Sequence, residues 1–365
     1  MRFSDIIGLE AQKQILIQSV ANNHVAHAQL FHGSEGSANL ALALAFGAYL
    51  NCKNRTENDS CGECASCSKM DKIAHPDVSY IYPTAGGKKV SSENFIAEWR
   101  AFVKESVYGN STDWLERVGL KQGNIPVEEA RKLIQNLSLK SYEGGYKLVY
   151  IWLPEFFNIA AANALLKVLE EPPADTIMLL VCNNAQHLLT TIISRTQRFA
   201  VPKFTEEEIK ENLLKLGVPG GRAKEVAFLA DGNLQKALRL AKAAHDGPQE
   251  WFSGWMRNCY AFNLTDLVPK ADEFDSLTKE QQKQLLDYSL TLFRELFLYA
   301  AGNKQMVKLE ADALSFIEKF SKAFNFNNLQ KITELVDEAI FHIDRNVRSK
   351  IIFLDLSIQI ARLIR

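Results

Sequence analysis

Residues Phe31–Leu40 (FHGSEGSANL) lie where a short apolar strand hands over to an almost wholly apolar helix, ALALAFGAYL. They have the outline of a phosphate-binding loop, G-x-x-x-x-G-K-S/T, whose lysine reaches the β- and γ-phosphates and whose hydroxyl holds Mg2+. Here Asn39 and Leu40 stand in the lysine and hydroxyl positions. Ala38 replaces the second obligatory glycine, five residues after Gly33, while Gly36 keeps the loop supple. A leucine cannot ligate magnesium. The loop reads as the relic of a nucleotide site, with Gly33, Gly36, Asn39 and Leu40 as its degenerate members and no functional ATP site expected.

With 365 residues, 47% hydrophobic and 23% charged, the chain can bury a large core and is expected to divide into two or three domains. A formal net charge of −1, from 42 basic and 43 acidic residues, gives no whole-chain attraction to nucleic acid or anionic membrane. The N-terminus MRFSDIIGLEAQKQIL has charges and no long apolar run, so neither a signal peptide nor a membrane span is expected, and a cytoplasmic location is.

Cys52, Cys61, Cys64 and Cys67 form a C-x8-C-x2-C-x2-C cluster, and Cys182 and Cys259 stand apart in apolar surroundings as core residues. Thiolates at this spacing can turn onto one tetrahedral Zn2+, with Gly62 relieving the turn between ligands, and four cysteines close the shell, as structural rather than catalytic zinc requires. The alternative, a disulfide or redox cluster, is disfavoured in a cytoplasmic chain. His75, in the run His75-Pro76-Asp77, reads as a turn or capping residue.

Apolar strands expected at 28–32, 147–153, 176–182 and 198–202 alternate with helices at 12–21, 39–50, 126–139 and 160–170, the pattern of a parallel sheet covered on both faces. Beyond Pro202 the texture changes to short helices at 204–216, 222–230 and 233–244, broken by Gly217–Gly221 and Asp231-Gly232. From Gly247 onwards, apolar-periodic segments at 283–301, 311–324, 328–343 and 348–364 imply a helical bundle. Residues 84–124 are the least regular segment, read as a surface insertion with a helix or two.

The order of the zinc cysteines, His75-Pro76-Asp77, IPVEEAR, ANALLKVLEEPP (Ala162–Pro173), a strand ending in Cys182-Asn183, and Ser194-Arg195-Thr196 resembles the clamp-loader branch of the AAA+ family. The likeness covers Phe3 to about Leu240 by specific motifs, and the remainder by helical character. It implies a RecA-like AAA+ α/β domain over 1–202 with a zinc module at 52–67, an all-α lid over 203–246 and an all-α C-terminal collar over 247–365. It implies membership of a five-subunit ring with gamma/tau-type ATPase subunits and a delta-type subunit, within the DNA polymerase III holoenzyme. The ring would act on a sliding clamp and primed DNA, away from any membrane.

Set against the family's catalytic members, the Asp-Glu pair that holds Mg2+ and positions water falls on Trp152-Leu153 here. Glu155, two residues on, reads as a solvated loop acid. The lid's sensor arginine falls on Gln235, beside Lys236. Asn183 is either the polar sensor after the strand or a turn residue. Ser194-Arg195-Thr196 resembles the Ser-Arg-Cys motif that presents an arginine to a neighbour's nucleotide, with Thr196 in place of cysteine. Such a guanidinium stabilises phosphoryl charge in trans and needs no ATP on its own subunit. The other reading is that Arg195 pairs with a surface carboxylate. In ANALLKVLEEPP, Ala162, Leu165, Leu166 and Leu169 form an apolar helix face, and Asn163, Lys167 and Glu170 lie off it. Lys167 is either a solvated lysine or a contact to DNA phosphates. The expected function is a non-hydrolysing stator of the clamp loader. The alternatives are a divergent AAA+ ATPase that binds nucleotide through loop amides and a zinc-dependent DNA-binding module.

Overall fold

The apolar runs form strands β1 (Ala28–His32), β2 (Val78–Ile81), β3 (Lys147–Trp152), β4 (Thr176–Cys182) and β5 (Gln197–Ala200). All pair in parallel in the order β2-β3-β4-β1-β5. Every residue of β3 and β4 is buried, which is why these two strands read as apolar sequence after their first residues, Lys147 and Thr176. In a computed structural model of the chain, residues 1–85, 91–242, 248–303, 311–321 and 326–364 are described. They fall into two compact units, Met1–Ala241 and Lys242–Arg365. The boundary expected at 246/247, and the far ends of the helices expected at 233–244 and 311–324, lie outside the described residues.

In the first unit, α1 (Glu10–Ala21), α2 (Asn39–Asn51), α3 (Ala65–Asp71), α4 (Ile96–Ser106), α5 (Ser111–Arg117), α6 (Val127–Leu137), α7 (Ile159–Glu170) and α8 (Thr190–Ile193) surround the sheet. Helix α2 is buried along its whole length, as a helix apolar on all sides must be. It lies so close to β3 that a Cβ on Gly47 would sit 1.8 Å from Tyr150 Oη. On the other layer α6 packs against α7, with Leu133, Leu137, Leu165 and Leu169 buried against Val149, Ile151, Met178 and Leu180 of the sheet. The apolar face expected on α7 is present, Leu166 being half-buried, and Asn163, Lys167 and Glu170 are exposed. The chain then forms α9 (Glu206–Lys215), α10 (Gly220–Ala230) and α11 (Leu234–Lys242), whose residues through Ala241 cluster with the first unit.

The segment 84–124 is less peripheral than its sequence suggests. Thr84 and Asn124 exchange two backbone hydrogen bonds of 2.8 Å, closing its ends on each other. Between them α4 and α5 turn Trp99, Phe102 and Trp114, all at most 1% exposed, onto Tyr82 and Trp152. The Trp99 and Trp152 rings lie 5.2 Å apart, Tyr82 stacks on Trp99 at 4.4 Å, and Trp114 Nε1 donates to Pro83 O at 2.7 Å. Aromatic pairs of this kind contribute about 0.5–1.5 kcal/mol each beyond the area they bury.

The second unit contains α12 (Pro248–Ala261), α13 (Leu264–Ser276), α14 (Lys279–Ala300), α15 (Ala311–Phe320), α16 (Phe326–Asp344) and α17 (Ser349–Leu363). Helix α17 packs on α12, α13 and α16, with Trp255 donating to Ser357 Oγ at 2.8 Å inside that core. No described helix is long and apolar enough to cross a membrane.

Candidate functional site

The loop between β1 and α2 is filled by its own residues. Asn39, in the position of the absent lysine, is 4% exposed and points inward. Its Nδ2 donates to Gly33 O at 2.9 Å and lies 3.3 Å from Cys182 O and 3.4 Å from Asn183 Oδ1. One carboxamide thus ties the loop after β1 to the end of β4, the crevice where open α/β sheets bind ligands. Its Oδ1 is buried without a partner, a deficit of about 1–3 kcal/mol for such a group. Leu40 is 3% exposed and belongs to the core. Gly36 has φ +75°, and a Cβ there would lie 1.9 Å from Asn233 Oδ1. Leu234 N donates to Gly36 O at 3.1 Å, and Asn233 Oδ1 accepts from Lys236 N at 2.8 Å. The first turn of α11 therefore rests directly on the loop.

The end of β3 is apolar, with Trp152 and Leu153 both buried. Trp152, in the position of the magnesium-binding acid, is 2% exposed among the aromatic side chains of α4 and α5. Leu153 turns the chain sharply at φ 58°. That turn tucks Glu155 back, so that Oε1 accepts from Asn183 N at 3.0 Å while Oε2 is buried without a partner. Glu155 is thus not the solvated loop acid expected from sequence. Burial pushes its carboxyl above the ordinary value of 4.5, against the pull of the Asn183 and Asn184 amides.

On the lid side, Gln235 Nε2 lies 3.4 Å from Asp113 Oδ2, and the Arg239 guanidinium pairs with Asp113 Oδ1. The sequence alone singled out Gln235 and Lys236 here, and not Arg239. Arg239, one helical turn further, supplies a charge, and its i+4 spacing from Gln235 was the available signal.

Arg195 lies beyond α8 with its side chain 29% exposed. Glu170 Oε1 accepts from Nε at 2.6 Å and from Nη2 at 2.5 Å, while Nη1 donates to Thr191 O at 3.0 Å. The surface carboxylate considered for it is therefore Glu170, from the end of α7. Lys167, one turn earlier on α7, is exposed.

Cys52, Cys61, Cys64 and Cys67 come together with all four sulfurs within 4.8 Å of one another. A tetrahedral zinc with Zn–S near 2.3 Å places its sulfurs about 3.8 Å apart; Cys52 and Cys61 are 3.5 Å apart, and Cys61 and Cys67 3.9 Å. Backbone amides point at sulfur, among them Cys61 N to Cys52, Cys64 N to Cys61 and Cys67 N to Cys64, at 3.2, 3.3 and 3.4 Å. Burial raises Cys52 and Cys67. At Cys64, which caps α3, the Cys67 and Lys53 amides and neighbouring thiols outweigh burial and bring the thiol down to about 6. The donor set fits a metal such as zinc. His75 stands outside it, with Nδ1 accepting from Asp77 N at 3.2 Å and Nε2 3.4 Å from Glu143 Oε2. Burial holds its imidazole below the ordinary 6.5.

Residues 8–205 match the family described as DNA polymerase III, delta subunit. The chain is 34% identical over 285 residues to the delta-prime subunit of DNA polymerase III from Yersinia pestis, covering 75% of this chain and 72% of that one. It is 25% identical over 320 residues to the delta-prime subunit from Escherichia coli, covering 86% and 82%. It is 27% identical to the tau subunit from Bacillus subtilis over 82% of this chain, but spans only 50% of that protein's length. A solved Thermotoga maritima gamma subunit-related protein aligns over 97% of this chain and 100% of its own, with 16% identity and a TM-score of 0.44. The chain belongs to the family of DNA polymerase III clamp-loader subunits. Within that family it stands with the delta-prime subunits.

The raised carboxyl of Glu155 sets a pH dependence. A folded-state pKa above the unfolded value means that the folded chain binds the proton more tightly. The carboxyl's contribution to stability is therefore full below pH 4.5 and is lost as pH rises through the folded pKa. Glu155→Gln should be more stable than wild type at pH 7, with the gap closing towards pH 4, as read from urea midpoints. A variant less stable at pH 7 would show that Oε2 has a partner that favours the charge.

Proposed function

We propose that this chain is a non-hydrolysing subunit of the clamp-loader ring, working as a stator beside gamma/tau-type ATPase subunits and a delta-type subunit. The observation that carries this reading is Asn39. The side chain in the lysine position is turned inward, spent on Gly33, Cys182 and Asn183, and brings no charge to a triphosphate. Leu40 and Trp152 add no magnesium ligand, and phosphoryl transfer needs several such charges placed together. In this reading residues 1–202 form the AAA+ domain, 203–246 the lid and 247–365 the collar that joins the ring. The assembled ring uses the neighbours' ATP to hold a sliding clamp and release it on primed DNA.

Arg195 is the part of the ATPase machinery that this chain contributes, to the neighbour's nucleotide. Its guanidinium is partly exposed and permanently charged, as the role requires. Its present partner is replaceable, because an ion pair with side chains 29% and 50% exposed is worth only about 0–1 kcal/mol. A phosphate that takes the place of Glu170 meets Nε and Nη2 side by side, the bidentate geometry that arginine favours. An arginine finger is worth roughly 10³–10⁵ in turnover at the site it serves. Arg195→Ala should therefore silence one ATP site of the reconstituted, DNA-stimulated ring while leaving assembly intact. Undiminished turnover in an equally assembled ring would remove the finger role.

The cysteine cluster is proposed to hold one structural Zn2+ through Cys52, Cys61, Cys64 and Cys67, cross-linking the end of α2 to α3. When bound, the ion supplies folding energy to this module and no chemistry to a substrate. Metal analysis of the purified chain should find one equivalent of zinc, with Cys61→Ser/Cys64→Ser reducing it to near zero. Four freely titrating thiols in the metal-analysed wild-type chain would contradict the assignment.

A further inference from the structure

The segment 91–124 reaches both walls of the closed cleft, and it does so from a fixed base. The base is the aromatic cluster of Trp99, Phe102 and Trp114 on Trp152, which anchors α4 and α5 to the end of β3. From there Asn110 Nδ2 donates to Glu35 Oε2 of the loop at 3.2 Å. The Tyr108 ring meets Phe204 edge-on at 5.8 Å, just ahead of α9, and burial pushes the Tyr108 hydroxyl up to about 12. Asp113 turns its carboxylate to α11, where Gln235 and Arg239 hold one oxygen each; its side chain is only 12% exposed. Asp113 is itself held by a reciprocal cap: Asp113 N donates to Asn110 Oδ1 at 3.0 Å, and Asn110 N to Asp113 Oδ2 at 3.1 Å.

A bound nucleotide links a glycine loop to a second wall because its anionic phosphates attract donors from both. Here a carboxylate of the chain itself occupies that role for the lid wall, while its neighbour Asn110 holds the loop. We infer that segment 91–124 is a built-in clasp, in which Asp113 serves as an internal anion that fixes α11 against the loop 33–38 without a nucleotide. The clasp acts together with the direct contact of Leu234 N on Gly36 O. It gives the insertion a role that its sequence did not disclose: it holds the lid in one posture whatever nucleotide is in solution. This deepens the stator reading above. Its test needs neither a ring partner nor ATP, so the two stand or fall separately.

The experiment is hydrogen exchange on the full chain for Asp113→Ala, Arg239→Ala and the double variant, with the amides of β3 and β4 as a measure of the global fold. Loss of a charged hydrogen bond that holds a local opening unit should speed exchange in α10 and α11 roughly tenfold or more in either single variant. The double should be no faster than the faster single, because the two residues share one interaction. Asp113→Ala also disturbs the cap of α5, so Arg239→Ala, which leaves that cap intact, is decisive. Lid exchange in Arg239→Ala within about twofold of wild type, or effects that simply multiply in the double variant, would overturn the clasp.

Discussion

The carboxamide of Asn39 carries an unusual share of this structure. It sits at the carboxyl ends of β1 and β4, where an α/β sheet ordinarily admits a ligand, and it spends its hydrogens on oxygen atoms from both sides of that crevice. A lysine in the same place would carry a charge that burial penalises, and would need a phosphate to satisfy it. An asparagine is neutral, and its Nδ2 finds acceptors in the loop and at the end of β4, at the cost of one buried Oδ1 without a partner. The loop keeps its fold, with Gly36 in the left-handed region and the first turn of α11 resting on it, but what holds it is the protein.

Packing rather than charge also holds the end of β3. Trp152 provides a flat apolar surface, and the helices of segment 91–124 are built upon it. A carboxylate at position 152 would be buried unpaired among aromatic rings, so this anchor and an acid cannot share the position. Glu155 shows the residual cost: its carboxyl is kept close to the sheet with one oxygen unsatisfied, and burial raises its pKa.

How much of this was legible depends on the range of the interaction. β3 and β4 are readable because burial on both faces makes them nearly continuous apolar runs, and α2 because it is apolar on all sides. The edge strand β2 escapes notice: Val78–Ile81 is only four residues long and half-buried for most of them, so no period can develop. The cysteine cluster is legible from spacing alone, because its four members are close in sequence. The pairing of Asp113 with Arg239 spans 126 residues and leaves no local pattern. Glu155 was misread as solvated because nothing in the sequence announces the left-handed turn at Leu153, which brings its carboxylate beneath Asn183. The departures of loop 33–40 from the phosphate-loop pattern are visible in its residues. That Asn39 turns inward onto Gly33, Cys182 and Asn183 required the fold.

The central claim is that the protein's own side chains have replaced the nucleotide, and equilibrium titration of the purified chain with labelled ATP and Mg2+ tests it most directly. The account predicts no saturable binding up to millimolar ATP and a melting temperature that does not move with ATP concentration. Saturable binding, with a melting temperature that climbs as mass action requires of a native-state ligand, would contradict it.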